Sequence, residues 1–218
     1  MARRQTPFNF NYIYMDENQN KNPEVQDGGS TWHAVGAFIW DLVKILVIAL
    51  IIIIPFRTYV AEPFVVSGSS MLPNFHNNDY LIVNRLTYVT GNPQRGDVIV
   101  LRFPKDPSQF FIKRVIGLPG DKVCFAPNCQ GQDGHVYIFN SQHPQGFELN
   151  EPYLTEGTYG QSQTVPLGSD EYFVLGDNRT ASSDSRVWGI LPRDLIIGKV
   201  WLKVFPFSDF GVSRTPSY

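Results

Sequence analysis

The sequence predicts a mainly β fold: an antiparallel two-sheet or partly closed barrel domain, preceded by one transmembrane helix. Three observations support this fold class. The 218 residues include 18 Gly, 16 Pro, 16 Phe and 10 Tyr, a composition that favours short strands and turns over long helices. Short apolar runs recur between turn residues without a helical period between them, which argues against a parallel βαβ architecture. One long apolar stretch precedes these runs.

The first segment, residues 1–30, is polar, rich in asparagine and mixed in charge. It lacks the apolar pattern of a packed element, so the sequence predicts a flexible tail. The whole chain has a net charge of -2, and no basic field indicates a nucleic-acid partner.

Residues 31–60 are predicted to form a transmembrane anchor. The apolar run of residues 42–60, at about 1.5 Å per residue, nearly covers a hydrocarbon core of ~30 Å. About nine Ile, Leu and Val residues, at roughly -0.3 to -0.6 kcal/mol each, outweigh the terminal cations Lys44 and Arg57, which can snorkel. A cleaved signal peptide fits less well, because the preceding region is long and a bulky tyrosine stands at position 59.

The charges around this helix predict its orientation. Arg3, Arg4, Lys21 and Lys44 lie on the N-terminal side, and Arg57 lies on the other. The positive-inside tendency then places the N-terminus in the cytoplasm. We therefore expect a single-pass protein of the plasma or inner membrane, with residues 61–218 forming an extracytoplasmic β domain.

Short strands are expected throughout the domain, separated by Gly, Pro, Asn and Asp turn residues. The predicted strands are residues 80–84, 97–103, 110–116, 136–139, 172–175 and 197–205.

A serine-rich stretch, residues 67–73, follows the apolar segment. Alone it is most simply a polar loop, because Ser, Gly and Pro are ordinary turn residues. A second stretch, residues 110–121, favours a catalytic role. If residues 110–116 form a strand, alternation puts Phe111, Lys113 and Val115 on one face. Lys113 then lies among apolar neighbours, and a desolvated lysine can act as the base that a serine nucleophile needs.

The pKa of this lysine decides whether it can act. At its usual pKa of ~10.4, a lysine is neutral in only about one molecule in 2,500 at pH 7. A decrease of ~3 units would make the neutral amine common. Burial beside Phe111 and Val115 is the predicted cause, with Arg114 on the opposite face of the strand.

Four motifs in order resemble those of the bacterial type I signal peptidases (leader peptidases): residues 67–73, 95–100, 113–121 and 176–186. Residues 57–64 are also similar to the family's membrane-exit segment, so the resemblance runs from about residue 42 to the C-terminus. It implies a membrane-anchored serine endopeptidase that uses a Ser/Lys dyad to cleave N-terminal signal peptides from secreted preproteins. It implies preprotein signal peptides and membrane lipid as partners, with no cofactor and no metal.

The resemblance also implies a role for each matched residue. Ser70, directly before Met71, takes the nucleophile position, and Lys113 takes the general-base position. Ser182 matches a serine that hydrogen-bonds and orients the lysine. The supporting ion-pair cluster corresponds to Asp184, Arg186 and Arg114. The walls of shallow pockets that admit small side chains, typically Ala, correspond to Phe64, Val66, Phe111 and Ile112.

Two positions depart from the family pattern. Asn74 stands where threonine is usual, which we interpret as a structural change. Gly68 stands where some members carry a serine that helps the oxyanion hole and others carry glycine. The Ser70 backbone N–H is then the expected oxyanion donor, and the second donor, at Gly68, stays open.

Other candidate sites are weaker. His76, close to Ser70 in sequence, suggests a Ser-His-Asp triad, but it lies in a polar turn with nothing to orient it. Cys124 and Cys129 with two nearby histidines have irregular spacing for zinc. A Cys124–Cys129 disulfide closing a small loop fits an extracytoplasmic domain better, and free cysteines remain the alternative in a reducing compartment.

Two other functions remain open for the sequence. One is a non-enzymatic membrane β domain that binds peptides, and the other is a self-cleaving Ser/Lys relative of the stress-response repressors. The second lacks a DNA-binding helix pair before the domain. An exposed apolar lip that contacts the bilayer is a further expectation, with core aromatics as the alternative. Its candidate residues are Phe75, Phe103, Phe110 and residues 204–207.

Overall fold

The apolar stretch near the N-terminus forms one long helix. The computed structural model describes residues 29–56, 60–125, 134–157, 163–213 and 215–216, and helix α1 occupies Gly29–Pro55. The segment Trp32–Ile54 is 23 residues long, enough at about 1.5 Å per residue to cross a hydrocarbon core of ~30 Å. By length and composition, α1 is therefore a candidate membrane span.

The helix covers most of the predicted anchor, residues 31–60. It starts at residue 29 rather than 31, and its apolar part begins well before residue 42 because residues 32–40 are apolar too. The α-helical span ends at Pro55, and residues 57–59 of the predicted anchor lie outside the described residues. Within α1, Lys44 Nζ lies 2.7 Å from Asp41 Oδ1, one turn away. The predicted tail lies outside the described residues, apart from residues 29 and 30.

The β domain consists of short strands, as predicted. The described strands are β1 Ala61–Val65, β2 Tyr80–Asn84, β3 Val98–Phe103, β4 Asp106–Gly117, β5 Lys122–Phe125, β6 Val136–Phe139, β7 Phe147–Glu148, β8 Thr164–Pro166, β9 Glu171–Leu175, β10 Leu191–Pro192, β11 Ile196–Phe205 and β12 Gly211–Val212. Between them lie helices α2 Thr87–Thr90 and α3 Ser185–Trp188, and 3-10 turns at Arg193–Leu195 and Phe207–Asp209.

These strands pair into two antiparallel sheets. The larger sheet has the order β1-β2-β11-β3-β4-β9-β10, with β12 added to β11, and the smaller has the order β7-β6-β5-β8. Within the part of the chain that the structure describes, neither sheet closes on itself. The prediction of a mainly β, antiparallel two-sheet domain is therefore confirmed, in its open rather than its barrel form.

Strand β4 runs from the surface into the core of the domain. Residues 107–110 are exposed, whereas every residue from Lys113 to Gly117 is buried. The outer half pairs with β3 alone, and pairing with β9 begins at Arg114. Lys113 thus lies where the strand enters the core, and the strand edge just before it has no partner among the described strands.

Candidate active site

The serine-rich loop, residues 66–79, connects β1 to β2, and its apolar side chains pack into the core. Met71 and Phe75 are buried in the cluster of apolar side chains that also contains Val83. The Phe75 N–H donates to the Met71 oxygen at 2.9 Å and closes a tight turn. Gly68 has a φ of +99°, a left-handed conformation that glycine adopts without strain. The loop therefore presents Ser70 on a packed support.

Ser70 and Lys113 meet at the entrance to the core. The Lys113 Nζ lies 2.8 Å from the Ser70 Oγ, and it also donates to the Ile112 oxygen at 2.9 Å. The two residues are 43 positions apart in the chain, and they are brought together by the loop after β1 and the middle of β4. This distance is within the range for proton transfer between a nucleophile and its base.

Burial changes the protonation of the lysine. Lys113 is 3% exposed, and desolvation lowers its pKa from the usual 10.5 to about 8, although the negative charges of Asp184 and Asp177 partly oppose the decrease. At pH 7 a group with a pKa of about 8 is neutral in about one molecule in eleven, against about one in 3,000 at 10.5. The decrease has the direction and the cause predicted from the sequence.

The predicted cluster of Asp184, Arg186 and Arg114 is divided into two ion pairs. Arg114 forms a bidentate pair with Asp177, Nε to Oδ1 at 2.8 Å and Nη2 to Oδ2 at 2.6 Å. Arg186 forms a bidentate pair with Asp184, with both distances at 2.8 Å. Asp177 had no assigned role in the sequence analysis, because its partner is set by the pairing of β4 with β9.

Asp184 remains ionised in spite of its burial. Desolvation raises its pKa, but the hydrogen bonds and charge of Arg186 and the Gly176 N–H outweigh this and hold the pKa below its usual value. Its carboxylate accepts from the Gly176 N–H at 3.0 Å. Asp184 also caps α3 by accepting from the Arg186 N–H, so the ion pair is anchored to the start of that helix.

Ser182 lies beside this carboxylate without bonding to the lysine. Its hydroxyl is buried and has no hydrogen-bond partner among the described residues, although it is close enough to Asp184 to favour the ionised carboxylate. A Cβ added at Gly176 would overlap the Ser182 Oγ and the main-chain carbonyl oxygen of Ser70. The backbone of residue 176 therefore passes directly beside the nucleophile, which only a glycine permits.

Asn178 attaches the nucleophile loop to the segment that follows β9. Its N–H donates to the main-chain carbonyl oxygen of Ser70 at 3.0 Å. Its side-chain amide donates to the main-chain carbonyl oxygen of Ser69 at 3.1 Å. Asn178 belongs to the motif at residues 176–186, but its sequence context predicts no role for it. Asparagine in a turn is too common to indicate such a contact without the fold.

A groove beside Ser70 contains all four predicted substrate-binding residues, Phe64, Val66, Phe111 and Ile112. The cavity has a volume of about 240 Å³. Its remaining lining residues are Val65, Ser67, Ser70, Leu81, Val100, Phe110, Lys113 and Ser183. Most of these side chains are apolar, so the groove suits small apolar side chains.

The aromatic walls of the groove are held by ring contacts. Phe64 packs edge-on against Phe110 with centroids 5.5 Å apart, and Phe111 stacks on Phe103 at 4.6 Å. Phe110, predicted as part of an apolar lip, also lines this groove. Of the other lip candidates, Phe75 is buried, whereas Phe205 and Phe207 are exposed.

The oxyanion candidates differ in availability. The Gly68 N–H donates to the Asn77 Oδ1 at 2.9 Å, so this donor is already engaged. No backbone hydrogen bond of the described residues uses the Ser70 N–H. The Ser70 N–H is therefore the available donor of the two.

The zinc-site candidates Cys124, His135 and His143 lie in or beside strands of the smaller sheet. His135 pairs with Glu148 at 2.7 Å, and His143 packs on Phe147, both in the region of the smaller sheet. Cys124 is disulfide-bonded, and Cys129 lies outside the described residues. Among residues the structure describes, no group of three or more His, Cys, Asp or Glu side chains could hold a metal ion.

Comparison with known proteins gives a consistent set of similarities. Residues 39–205 match the family model described as signal peptidase, peptidase S26. Probable signal peptidase I-1 of Synechocystis sp. is 37% identical over 181 residues, which cover 80% of this chain and 86% of that protein. Signal peptidase IB of Staphylococcus aureus is 32% identical over 179 residues, 78% of this chain and 92% of that protein. A crystal structure of a signal peptidase I from Enterococcus faecalis aligns at 31% identity and a TM-score of 0.41, covering 50% of this chain and 97% of that one.

Proposed function

This chain belongs to the signal peptidase family, peptidase S26, a family of serine endopeptidases, and from that premise we propose that it cleaves signal peptides with a Ser70–Lys113 dyad. The observation that carries the proposal is the 2.8 Å contact between Lys113 Nζ and Ser70 Oγ. The burial that lowers the pKa of the lysine makes its neutral form available as a base.

Acylation begins when the neutral Lys113 amine takes the Ser70 proton as Oγ attacks the scissile carbonyl carbon. The carbonyl oxygen becomes an oxyanion, which the Ser70 N–H can stabilise. The protonated lysine then donates its proton to the leaving amine of the mature protein. The signal peptide remains attached to Ser70 as an ester.

Deacylation uses the same lysine, which is neutral again after the amine has left. It takes a proton from water as the water oxygen attacks the ester, and it returns a proton to the Ser70 oxygen as the acyl group leaves. Two ion pairs support this geometry, because Asp177 fixes Arg114, the neighbour of the base in β4, and the charge of Asp184 acts on the amine.

The substrate is proposed to bind in an extended conformation along the groove. β1 is an end strand of the larger sheet, and the β4 edge before Arg114 has no partner among the described strands. Edges of this kind can accept a peptide strand through backbone hydrogen bonds, while pockets select alternate side chains. Phe64, Val66, Phe111 and Ile112 would provide the pocket walls that admit small residues.

The anchor is proposed to be α1, with the N-terminus in the cytoplasm and the catalytic domain outside. The apolar length of Trp32–Ile54 supports insertion, and the cations of the N-terminal segment support the orientation. Exposed Phe205 and Phe207 support contact of the domain with lipid. Protease protection of intact and permeabilised cells tests the orientation.

The function is tested by incubating detergent-solubilised full-length protein with a preprotein and sequencing the new N-terminus. We expect cleavage in trans after the signal peptide, abolished in Ser70→Ala and retained in Ser141→Ala, an exposed serine outside the groove. Cleavage of the enzyme only by itself would indicate a self-processing protein. Full activity in Ser70→Ala would refute the dyad.

A further inference from the structure

We propose that Asn74 is a positioning residue for the reaction, an inference that rests on the Ser70–Lys113 mechanism above. Its side-chain nitrogen donates to the main-chain carbonyl oxygen of Tyr153 at 3.0 Å and to the Asp177 Oδ2 at 2.9 Å. Both partners are acceptors, so only the amide nitrogen, with its two hydrogens, satisfies them together. Asn74 therefore ties the nucleophile loop to a buried carboxylate.

That carboxylate is the point where three parts of the site meet. Besides Asn74, Asp177 binds both Nε and Nη2 of Arg114, the residue next to the base in β4. The residue after it, Asn178, donates its N–H to the main-chain carbonyl oxygen of Ser70 at 3.0 Å. Asp177 thus connects the strand of the base with the loop of the nucleophile, and Asn74 provides the second attachment of that loop.

The turn transmits the position of Asn74 to Ser70. Phe75 is hydrogen-bonded back to Met71 at 2.9 Å, and both side chains are buried. The Asn74 oxygen accepts from Lys203 Nζ at 3.0 Å, so the main chain at this point is held as well. A displacement of Asn74 therefore moves the turn that carries the nucleophile, and a misplacement of about 1 Å can cost about 100-fold in rate.

In this chain two acceptors face the side chain at position 74, and satisfying both takes two donors. Threonine has a single hydroxyl hydrogen and can bond only one of the two acceptors, and alanine can bond neither. Asn74 does not line the substrate groove. Its loss should therefore slow the chemical step without weakening substrate binding.

The test compares Asn74→Ala and Asn74→Thr in the full-length protein, using cleavage of a preprotein with kcat and KM determined separately. Thermal unfolding of each variant sets an assay temperature at which all are folded. We expect kcat of Asn74→Ala to fall about 10- to 100-fold, KM to stay within about twofold, and Asn74→Thr to recover part of the loss. Asn92→Ala, at an exposed asparagine outside the site, should match the wild type.

Wild-type kcat in folded Asn74→Ala, or a raised KM with unchanged kcat, would overturn the inference. Wild-type kcat in Asn74→Thr would overturn the need for two donors, and this variant decides the question if Asn74→Ala does not fold. Ser70→Ala separates the two proposals. If it is inactive while Asn74→Ala keeps full kcat, only the positioning role fails, whereas an active Ser70→Ala removes the mechanism itself.

Discussion

Replacing Lys113 with methionine should stabilise the protein at neutral pH while removing its activity. The pKa of Lys113 is about 8 instead of 10.5 because the amine is buried. At about 1.36 kcal/mol per pKa unit, the protonated amine costs the native state about 3 kcal/mol. Methionine fills similar space without the charge, but it loses two hydrogen bonds worth about 1 kcal/mol each. The variant should therefore be about 1 kcal/mol more stable at pH 7.

The sign of this difference should change with pH. Below pH 8 the lysine is protonated in both the folded and the unfolded state, so the full cost is present. Between 8 and 10.5 the unfolded state binds more protons, so wild-type stability rises with pH until the cost has disappeared. Near pH 10.5 the variant should be the less stable protein, because only the lost hydrogen bonds remain.

Urea unfolding of the detergent-solubilised proteins, followed by tryptophan fluorescence, measures this difference. Trp188 is buried in the core and reports on unfolding of the domain. Lys105→Met, at an exposed site, is the matched control. A difference in unfolding free energy between Lys113→Met and wild type that does not change between neutral and alkaline pH would refute the lowered pKa.

Three further changes test the surroundings of the dyad. Gly176→Ala should lower kcat by about 100-fold because the new methyl displaces the nucleophile, whereas Gly211→Ala, where the nearest atom is 4.0 Å away, should keep full activity. Asp177→Asn leaves buried Arg114 without its counter-ion and should cost about 3 to 5 kcal/mol in urea unfolding; a loss below about 1 kcal/mol, typical of exposed pairs, would contradict this. Phe64→Ala should increase by about tenfold the ratio of kcat/KM for a preprotein with a larger residue before the cleavage site to kcat/KM for one with alanine there. An unchanged ratio would show that Phe64 does not form a wall of the pocket.

The parts of the fold that could be predicted from the sequence are those with a strong local pattern. The strands at residues 80–84 and 136–139 have the predicted bounds, since apolar side chains there alternate or cluster between turns. β1 was not predicted because Glu62 and Pro63 interrupt its apolar pattern. It forms a strand because the neighbouring β2 provides a pairing edge.

The same distinction applies to the candidate site. Alternation in β4 is a local property, so burial of Lys113 and the separation of Arg114 from it could be inferred. Which acid pairs with which arginine depends on contacts over long sequence distances, 63 residues in the case of Arg114 and Asp177. Local patterns do not contain that information, and the contacts of Asn74 and Asn178 could not be predicted for the same reason.

The most direct test of the central claim is the dependence of kcat/KM on pH for preprotein cleavage. A buried neutral lysine that acts as the base predicts a tenfold rise per pH unit up to a plateau above about pH 8. Lys113→Ala should show no such rise and almost no activity. A wild-type profile without an acidic limb between about pH 6 and about pH 10, or full activity in Lys113→Ala, would contradict the account.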